Sequence, residues 1–259
     1  MITQKQLKHY WDKGWVVIEG IFNAHEAERI AQTANLVMSK ELKKAEVVTT
    51  EQLPDGTIIP RKINGAFFKH TDFQKFVLDD RLHKAIKTFI NKPPLLLADQ
   101  ILMKPPHHGG PKPYHQDNFH FQCSPVNDVI TAWIALDDVD EENGCLRYIS
   151  GSHNEGMIPH FPMENETYNM IPNQDRVDLA KEELAPVHKG GVVFHHGYTL
   201  HSSSRNYSDR WRRGYATHWI TADAKRIKGQ GNLDNADFKD VIIMSHSAKH
   251  SSSFYSPFR

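Results

Sequence analysis

The order of two kinds of sequence pattern constrains the fold of this chain more than any other feature. Helical spacing comes first and predicts helices over residues 4–13, 25–44 and 73–91, with a brief strand at Trp15-Val16-Val17-Ile18. Short runs rich in β-branched and aromatic residues follow, separated by Pro, Gly, Asn and Asp clusters, and they predict strands. These strands are 95–104, 113–122, 128–137, 145–150, 191–196, 198–205 and 211–221. Helices followed by many short strands predict a mainly β fold, a cupin-like antiparallel jelly roll with N-terminal helices packed on the barrel.

The chain is predicted to form one domain over residues 1–259. Its parts are mostly helical support over 1–92, the jelly-roll core over 93–222 and a C-terminal extension over 223–259. Residues 46–61 are polar and contain Pro54, Asp55 and Gly56, which predicts a loop or hairpin. Residues 151–185 show little regular pattern and are interpreted as a long insertion, of the kind that forms lids or binding loops.

Charge and composition exclude several classes of partner. The chain has 31 Lys and Arg against 31 Asp and Glu, so it lacks the basic excess of a nucleic-acid protein or of a segment drawn to anionic membranes. Its longest apolar runs, such as Leu95-Leu96-Leu97-Ala98, are too short to cross a bilayer. Cys123 and Cys145 lack C-x-x-C spacing. We therefore expect a reduced, cytoplasmic protein; its oligomeric state is not encoded in these patterns.

The 17 histidines raise the possibility of a metal site, because two His and one carboxylate on one face can hold non-haem iron. An H-x-D match arises about once by chance in such a composition, so context must choose. The other matches are His70-Thr71-Asp72 and the H-x-E sequence His153-Asn154-Glu155. Asp72 is interpreted as the N-cap of the helix over 73–91, and His153 lies in a predicted turn. His115-Gln116-Asp117 lies in a strand-like run. Alternation would place His115, Asp117, Phe119 and Phe121 on one face, as two ligands followed by an aromatic substrate wall.

The third ligand must come from a later strand, and the candidates are His195, His196 and His201. The last two predicted strands are interpreted as a hairpin, which would let His201, Ser203 and an arginine face one cavity. The small residues Gly214 and Ala216 share a face with Arg212, which favours Arg212 over Arg213 as the inward residue; a strand shifted by one position would reverse this choice. A buried arginine without a protein acid suits the carboxylate of a ligand.

These motifs resemble, in order and spacing, the phytanoyl-CoA dioxygenase family of Fe(II)/2-oxoglutarate-dependent oxygenases. The matching segments are Tyr10-Trp11-Asp12-Lys13-Gly14-Trp15-Val16-Val17, Leu102-Met103-Lys104-Pro105-Pro106, His115-Gln116-Asp117, Ala132-Trp133-Ile134-Ala135-Leu136, Asn143-Gly144-Cys145-Leu146, Gly151-Ser152-His153 and the stretch from His201 through Ser203 to Arg212. The resemblance implies a double-stranded β-helix with His115, Asp117 and His201 as iron ligands. It also implies Arg212 and Ser203 on the distal carboxylate of 2-oxoglutarate. By position, Trp133, Gln100 and Lys62 match residues that line the co-substrate pocket.

The resemblance further implies the reaction: with O2, 2-oxoglutarate is converted to succinate and CO2 while an unactivated C–H bond of a small metabolite is hydroxylated. Because Asp117 is present where related halogenases have a small residue, hydroxylation is favoured over halogenation; desaturation and cyclisation stay open. The alternatives are a non-catalytic jelly-roll binding or sensor protein and a zinc cupin-like hydrolase or isomerase, neither of which explains Arg212 together with the triad. The histidine pairs His107-His108 and His195-His196 are candidates for substrate-side bases, but solvated loops are the favoured interpretation. Lys104 follows a predicted strand and is a candidate contact for an anionic substrate, but a surface position is the favoured interpretation.

Overall fold

The computed structural model of the protein describes residues 2–42, 44, 48–53, 55–163 and 166–227. Within these ranges the α-helices are α1 (Gln4–Lys13), α2 (Ala24–Glu41), α3 (Thr71–Val77), α4 (Asp80–Ile90) and α5 (Asp117–Phe121). Short 3-10 helices lie at Ala66–Phe68, Val126–Asp128, Ser152–Glu155, Gln174–Arg176 and Leu179–Lys181. None of the helices within these ranges has the length and apolar character needed to cross a membrane.

The described strands are short, in keeping with the predicted pattern. They are β1 (Trp15–Ile18), β2 (Val48–Gln52), β3 (Ile58–Asn64), β4 (Leu95–Lys104), β5 (Lys112–His115), β6 (Cys123–Ser124), β7 (Ile130–Ala135), β8 (Leu146–Ile149), β9 (His160–Met163), β10 (Glu166–Pro172), β11 (Glu182–Ala185), β12 (Val192–His196), β13 (His201–Ser203), β14 (Arg212–Ile220) and β15 (Lys225–Arg226).

Two antiparallel sheets build the body of the molecule. The major sheet has the order β1-β12-β7-β14-β4-β3-β2, and the minor sheet has the order β11-β8-β13-β5. Neighbouring strands are mostly distant in sequence, as the crossing connections of a jelly roll require. Two strand pairs, β9 with β10 and β6 with β15, lie outside these sheets. The predicted mainly β jelly roll is confirmed.

The major sheet buries both of its faces. Its outer face packs against the helices, where Tyr215 and Trp219 of β14 share one core cluster with Ile30 of α2 and Phe89 of α4. Its inner face packs against the minor sheet, where Trp133 of β7 belongs to a second cluster. Burial of both faces explains why every residue of β7 and β14 is buried, rather than every second one.

The helix predicted over residues 4–13 and the strand predicted at 15–18 are confirmed. The sequence sets the ends of the helix, because it contains a capping residue at each end. The side chain of Thr3 caps α1 by accepting a hydrogen bond from the backbone N–H of Gln6, whose side chain accepts one from the backbone of Thr3 in return. Gly14 ends the helix at a φ of 84°, in the left-handed region that favours glycine. A Cβ at Gly14 would also lie 2.4 Å from Thr199 Oγ1, so this position tolerates no side chain.

The helix predicted over residues 73–91 is two helices. The chain breaks between α3 and α4, where the side chain of Asp79 accepts a hydrogen bond from the backbone N–H of Arg81 and starts a new helix. The predicted N-cap at Asp72 is wrong, since His70 caps α3 and Asp72 lies in its first turn. The helix predicted over 25–44 begins one residue earlier, at Ala24, and ends at Glu41.

Two segments of irregular pattern contribute strands. The polar segment 46–61 contains strand β2 and the start of β3, which pair as a hairpin and extend the edge of the major sheet. The segment 151–185 has more regular structure than its pattern predicts: β9 pairs with β10, and β11 joins the edge of the minor sheet through β8.

The strand predicted over residues 113–122 is wrong beyond His115. Strand β5 ends there and the chain turns into α5. The turn is held by Gln116 and Asn118, both fully buried, instead of forming the polar outer face that alternation predicts. The Asn118 side chain accepts from the backbone N–H of Cys123 and donates to its carbonyl, which satisfies both ends of the amide.

The hairpin predicted for the last two strands is also wrong. Strand β13 pairs with β5 and β8 in the minor sheet, whereas β14 pairs with β4 and β7 in the major sheet. His201 and Arg212 therefore lie on different sheets, and the space between the sheets can receive side chains from both.

Candidate metal centre and co-substrate pocket

Three candidate ligand atoms converge on one point between the sheets. His115, the last residue of β5, pairs directly with His201, the first residue of β13. Asp117, the first residue of α5, places Oδ1 3.8 Å from His115 Nε2 and 3.7 Å from His201 Nε2. All three residues are buried, and their ligand atoms lie within 4.8 Å of one another. This is the spacing of three groups that could share one metal ion on a single face.

The backbone fixes which nitrogen each histidine presents. His115 Nδ1 lies 2.9 Å from the carbonyl oxygen of Pro113, and His201 Nδ1 lies 3.0 Å from that of Thr199. Since a carbonyl only accepts, each Nδ1 carries the proton. Both Nε2 lone pairs then face Asp117 and are available to a metal.

Residues of the major sheet hold the second oxygen of Asp117. Thr131 Oγ1 of β7 donates to Oδ2 at 2.6 Å, and His195 Nε2 of β12 lies 2.9 Å from the same atom. His218 Nδ1 of β14 lies 3.5 Å from Oδ2 and 2.8 Å from Thr131 Oγ1. Tyr148 OH lies 2.8 Å from His195 Nδ1 and can donate to it. Oδ2 is thereby engaged, and Oδ1 is left for a metal.

Burial and mutual charge set the protonation of the three ligands. Burial lowers the pKa of His115 well below its ordinary value, and His201 and Lys112 add to the effect. Burial and the neighbouring His195 lower the pKa of His201 to about 4. Burial alone would raise the pKa of Asp117, but the surrounding histidines outweigh it and hold that pKa well below its usual range. Two neutral imidazoles and one carboxylate are the protonation states that a divalent metal needs.

A buried arginine lies on the facing sheet. Arg212 is 1% exposed, and its Nε and Nη2 have no hydrogen-bond partner. Its guanidinium carbon lies 4.6 Å from the centre of the Trp133 ring. Gly214 makes this stacking possible, because a Cβ there would lie 1.8 Å from the Trp133 side chain. Burial lowers the pKa of Arg212 to about 10, which leaves it charged at neutral pH. Unpaired nitrogens of a buried guanidinium suit a ligand carboxylate.

Arg213 faces the opposite way, as the strand phase of the sequence analysis predicts. Its guanidinium forms a fork with Asp137, at 2.7 and 2.9 Å, and also reaches Asn35 of α2. Arg213 therefore has the carboxylate partner that Arg212 lacks, and it anchors the helical layer to the major sheet.

Ser203 contacts Lys104, the residue of β4 that is paired with Arg212 of β14. Lys104 was expected on the surface. Lys104 is 7% exposed, and its Nζ donates to Ser203 Oγ at 2.9 Å and to the carbonyl of Ser204. The prediction of a surface Lys104 is wrong because β4 runs through the middle of the major sheet, where its last residue is covered.

The other predicted co-substrate residues line the same side of the sheet. Gln100 and Lys104 lie four residues apart on β4, so strand alternation places both side chains on one face of the sheet. Lys62 of β3 is paired with Leu102, between them. Gln100 and Lys62 are half-buried, and Trp133 is 2% exposed.

The two predicted substrate residues do not share a strand face, since both belong to α5. The Phe119 ring stacks on His160 at 4.2 Å between centroids. Phe121 packs against a small apolar cluster of Leu95, Leu97, Cys123, Val129 and Ile220, and its ring lies 4.7 Å from that of His218. Both rings are half-buried.

The pair His195-His196 is buried within β12, at 1% and 2% exposure, so the predicted solvated loop is wrong. Thr131, Tyr148 and His218 behind Asp117 were not predicted from the sequence, and His195 was considered there only as a candidate metal ligand or a loop residue. The apolar run Val192-Val193-Phe194 directly before His195 was the available signal, because such a run predicts a buried strand that continues into the histidines.

Comparisons with known proteins agree with this geometry. The model of the phytanoyl-CoA dioxygenase family matches residues 10–214. A model of delta-aminolevulinic acid dehydratase matches only residues 222–259, too small a part of the chain to show a family. The peroxisomal phytanoyl-CoA dioxygenase of Mus musculus is 26% identical over 95% of this chain and 76% of its own length. A probable alpha-ketoglutarate-dependent hypophosphite dioxygenase of Stutzerimonas stutzeri is 26% identical over 94% of this chain and 86% of its own length.

Solved structures share the fold. The non-heme alpha ketoglutarate dependent carbocyclase SnoK from nogalamycin biosynthesis superimposes with a TM-score of 0.70 at 25% identity, over 89% of this chain and 88% of SnoK. The epimerase SnoN, in complex with Fe3+, alpha ketoglutarate and nogalamycin RO, superimposes with a TM-score of 0.72 at 22% identity, over 99% of this chain and 93% of SnoN.

The jelly roll, the His-Asp-His cluster and these relatives together define an iron- and 2-oxoglutarate-dependent oxygenase, for which O2 is the second co-substrate. The residues present fit those groups, since two neutral imidazoles and a carboxylate suit iron(II) and the unpaired Arg212 suits a carboxylate. The chain belongs to the phytanoyl-CoA dioxygenase family.

Proposed function

We propose that this oxygenase hydroxylates an unactivated C–H bond of a small-molecule metabolite, with release of succinate and CO2. The observation that carries the proposal is the pairing of two half-sites across the gap between the sheets. The His115–Asp117–His201 cluster stands on one side, and the fully buried Arg212, with two unpartnered nitrogens, stands on the other. A binding protein without redox chemistry has no need of the first half-site, and a zinc hydrolase has no need of the second.

In this proposal His115, Asp117 and His201 bind iron. Arg212 and Ser203 bind the distal carboxylate of 2-oxoglutarate, and Trp133, Gln100 and Lys62 line its pocket. Bound iron(II), 2-oxoglutarate and O2 supply the oxidising chemistry. The role of Phe119 and Phe121 as substrate contacts stays a prediction.

The protein residues in this proposal bind, orient and exclude water. The Nδ1–H donors of His115 and His201 are committed to backbone carbonyls, which holds both rings with Nε2 toward the metal. Thr131 and His195 hold Asp117 Oδ2, so Oδ1 would be the oxygen that holds iron. Arg212 fixes one end of 2-oxoglutarate and thereby its orientation at the iron.

Substrate identity is open within the small-molecule class. The names of the relatives mention phytanoyl-CoA, hypophosphite and nogalamycin, and they include a carbocyclase and an epimerase as well as dioxygenases. The carboxylate ligand Asp117 is retained, which supports hydroxylation rather than halogenation. The cytoplasmic location predicted from the sequence stays a prediction.

The first experiment titrates the anaerobic protein with iron(II) and then with 2-oxoglutarate. We expect a weak visible charge-transfer band, which is lost in His115→Ala and retained in His188→Ala, a matched change at an exposed histidine. A library of metabolites is then screened for stimulated succinate formation, and the product of each hit is examined for one added oxygen atom. Absence of the band in the wild-type protein contradicts the proposed site. A desaturated or cyclised product contradicts the proposed hydroxylation but not the proposed site.

A further inference from the structure

Lys104 and Arg212 form a buried pair of cations. They are directly paired positions on the antiparallel strands β4 and β14, so their side chains leave the same face of the major sheet side by side. Lys104 is 7% exposed and Arg212 is 1% exposed. The chain encloses this pair on three sides: Trp133 stacks on Arg212, Ser203 contacts Lys104, and Gly109 approaches Lys104 so closely that a Cβ there would lie 2.7 Å from its side chain.

No carboxylate of the described residues neutralises the pair. The charged and titratable groups that act on Lys104 are Arg212 on β14, Arg61 on β3, Glu51 on β2 and the Cys145 thiol. Arg212 and Arg61 are both cations. Burial raises the pKa of Cys145, so the thiol stays neutral. Glu51 is the one acid among these groups, and its carboxylate lies instead 3.4 Å from the backbone N–H of Gly110. Asp137 acts on Arg212 from a distance, but its carboxylate is held in the fork with Arg213.

Two uncompensated positive charges cannot remain side by side out of water, so one must lose its proton. A guanidinium stays protonated in proteins, whereas a lysine ammonium gives up its proton readily when buried. Burial, with Arg212 and Arg61, lowers the pKa of Lys104 to about 6. Without a ligand, Lys104 is therefore neutral at pH 7.5.

Lys104 also determines which way the Ser203 hydroxyl points. Ser203 Oγ accepts a hydrogen bond from Lys104 Nζ at 2.9 Å, and the carbonyl of Ser204 accepts a second one from the same nitrogen. Because Ser203 Oγ accepts from Lys104, its own hydrogen is directed elsewhere and is free for a ligand. A protonated Lys104 has a third hydrogen to donate.

We propose that Lys104 is a second binding residue for the distal carboxylate of 2-oxoglutarate, beside Arg212 and Ser203, and that it takes up one proton from solvent when the co-substrate binds. This inference rests on the proposed function. The carboxylate brings one negative charge between the two cationic side chains, so the ammonium form becomes the stable one. The bound arrangement has three donors on one carboxylate: the guanidinium, the serine hydroxyl and the ammonium.

Proton uptake makes the affinity depend on pH in one direction. Between the pKa of Lys104 in the free protein and its higher pKa in the complex, the dissociation constant for 2-oxoglutarate rises about tenfold for each pH unit. Below the free value, Lys104 is already protonated and this dependence disappears.

The test is calorimetric titration of the anaerobic, iron(II)-loaded full chain with 2-oxoglutarate at pH 7.5, in two buffers of different ionisation enthalpy. We expect the wild-type protein to take up about one proton more than Lys104→Met, and the variant to bind 2-oxoglutarate about 10- to 100-fold more weakly, the size of a lost charged hydrogen bond. Lys87→Met, at an exposed position of α4, is the matched control and should behave as wild type. The analogue 2-oxopentanoate lacks the distal carboxylate and should bind wild type and Lys104→Met alike.

Each outcome decides the inference. No difference in proton uptake, or an unchanged affinity in Lys104→Met, overturns it, and so does an equal loss of affinity for both ligands, which would indicate a structural role. If Lys104→Met does not fold, Lys104→Gln replaces it. If neither folds, the pH dependence of wild-type binding decides, because a flat dissociation constant between pH 6.5 and 8 excludes the uptake. Failure of wild type to bind 2-oxoglutarate at all contradicts the proposed function instead.

Discussion

His195 Nε2 lies 2.9 Å from Asp117 Oδ2, whereas His115 and His201 face Oδ1 of the same carboxylate. This contact joins the two sheets, because His195 belongs to β12 of the major sheet while Asp117 follows β5 of the minor sheet. Tyr148 OH lies 2.8 Å from His195 Nδ1 and donates a hydrogen bond to it. The His195 ring is therefore held in one orientation and one tautomer, in which Nδ1 accepts and Nε2 donates to Asp117.

The first prediction is that His195→Ala weakens metal binding without removing any ligand. Loss of the donor frees Asp117 to rotate, and loss of such an outer partner costs about 10- to 100-fold in metal affinity. Competition with a chelator for iron(II), under anaerobic conditions, measures the change. His195→Gln retains an N–H donor and should recover part of the affinity.

The control for this substitution is His107→Ala, because His107 is exposed and lies outside the cluster. An iron(II) affinity of His195→Ala equal to that of the control would show that Thr131 alone suffices to hold Asp117.

The second prediction separates two adjacent arginines. Arg212→Met should raise the KM for 2-oxoglutarate at least about 100-fold, since it removes a charged fork, while the protein stays folded. Arg213→Met should lower the free energy of unfolding by about 3–5 kcal/mol, because it leaves Asp137 buried without its partner. Steady-state kinetics and urea denaturation of both variants measure the two effects.

The opposite pattern, with KM raised by Arg213→Met and stability lost in Arg212→Met, would mean that β14 is shifted by one residue. Since the two substitutions are identical and neighbouring, each variant controls for the other.

Sequence patterns predict those parts of this site that depend on local geometry. The phase of β14 is predictable because Arg212, Gly214 and Ala216 alternate with bulky neighbours, and alternation is a local property. The boundaries of α1 are predictable because Thr3 and Gly14 are its caps.

The parts that depend on long-range pairing are not predictable in this way. The distance from His201 to Arg212 along the chain fits a hairpin, and only the pairing of β13 with β5 reveals that a jelly-roll crossing separates them. The turn at Gln116 escapes strand alternation because its cause, the buried amide of Asn118 bonded to Cys123, is a tertiary contact. His195 shows no motif, since its partner Asp117 lies 78 residues away.

The third prediction concerns the pH dependence of folding stability and the buried carboxyl group of Asp99 on β4. Burial raises the pKa of Asp99 from 3.8 to about 6, although Tyr215 OH and the backbone N–H of Phe67 donate to it. The folded protein thus holds this proton more tightly than the unfolded chain. The stability that it contributes is full below pH 3.8 and is lost as pH rises through 6.

Asp99→Asn removes this dependence. Measured by urea denaturation, the stability of the variant relative to wild type should improve by about 2 kcal/mol between pH 4.5 and pH 7.5. Wild type and variant are compared at each pH, so titration of all other groups cancels. A constant difference between them across this range would show that Asp99 titrates normally in the folded protein.

The last prediction tests whether the contact of Gly214 with Trp133 shapes the co-substrate pocket. In Gly214→Ala the added Cβ would lie 1.8 Å from Trp133 Cζ2, and the residue is in the middle of a paired strand, so the indole must move. Overpacking of this kind costs about 1–3 kcal/mol of stability. Movement of the indole also removes the face on which Arg212 stacks at 4.6 Å, so 2-oxoglutarate binding should weaken as well.

Thermal denaturation and 2-oxoglutarate titration of the variant measure the two losses. Gly110→Ala is the matched control, because its Cβ would meet only the Glu51 carboxylate at 3.6 Å, an ordinary contact. The double variant Gly214→Ala with Trp133→Leu separates the two effects: it should be less destabilised than the sum of the two single variants, since the clash is gone, but it should not regain co-substrate affinity, since Arg212 still lacks its aromatic support. Wild-type affinity for 2-oxoglutarate in the double variant would mean that Trp133 only fills space and that Arg212 is positioned by other contacts.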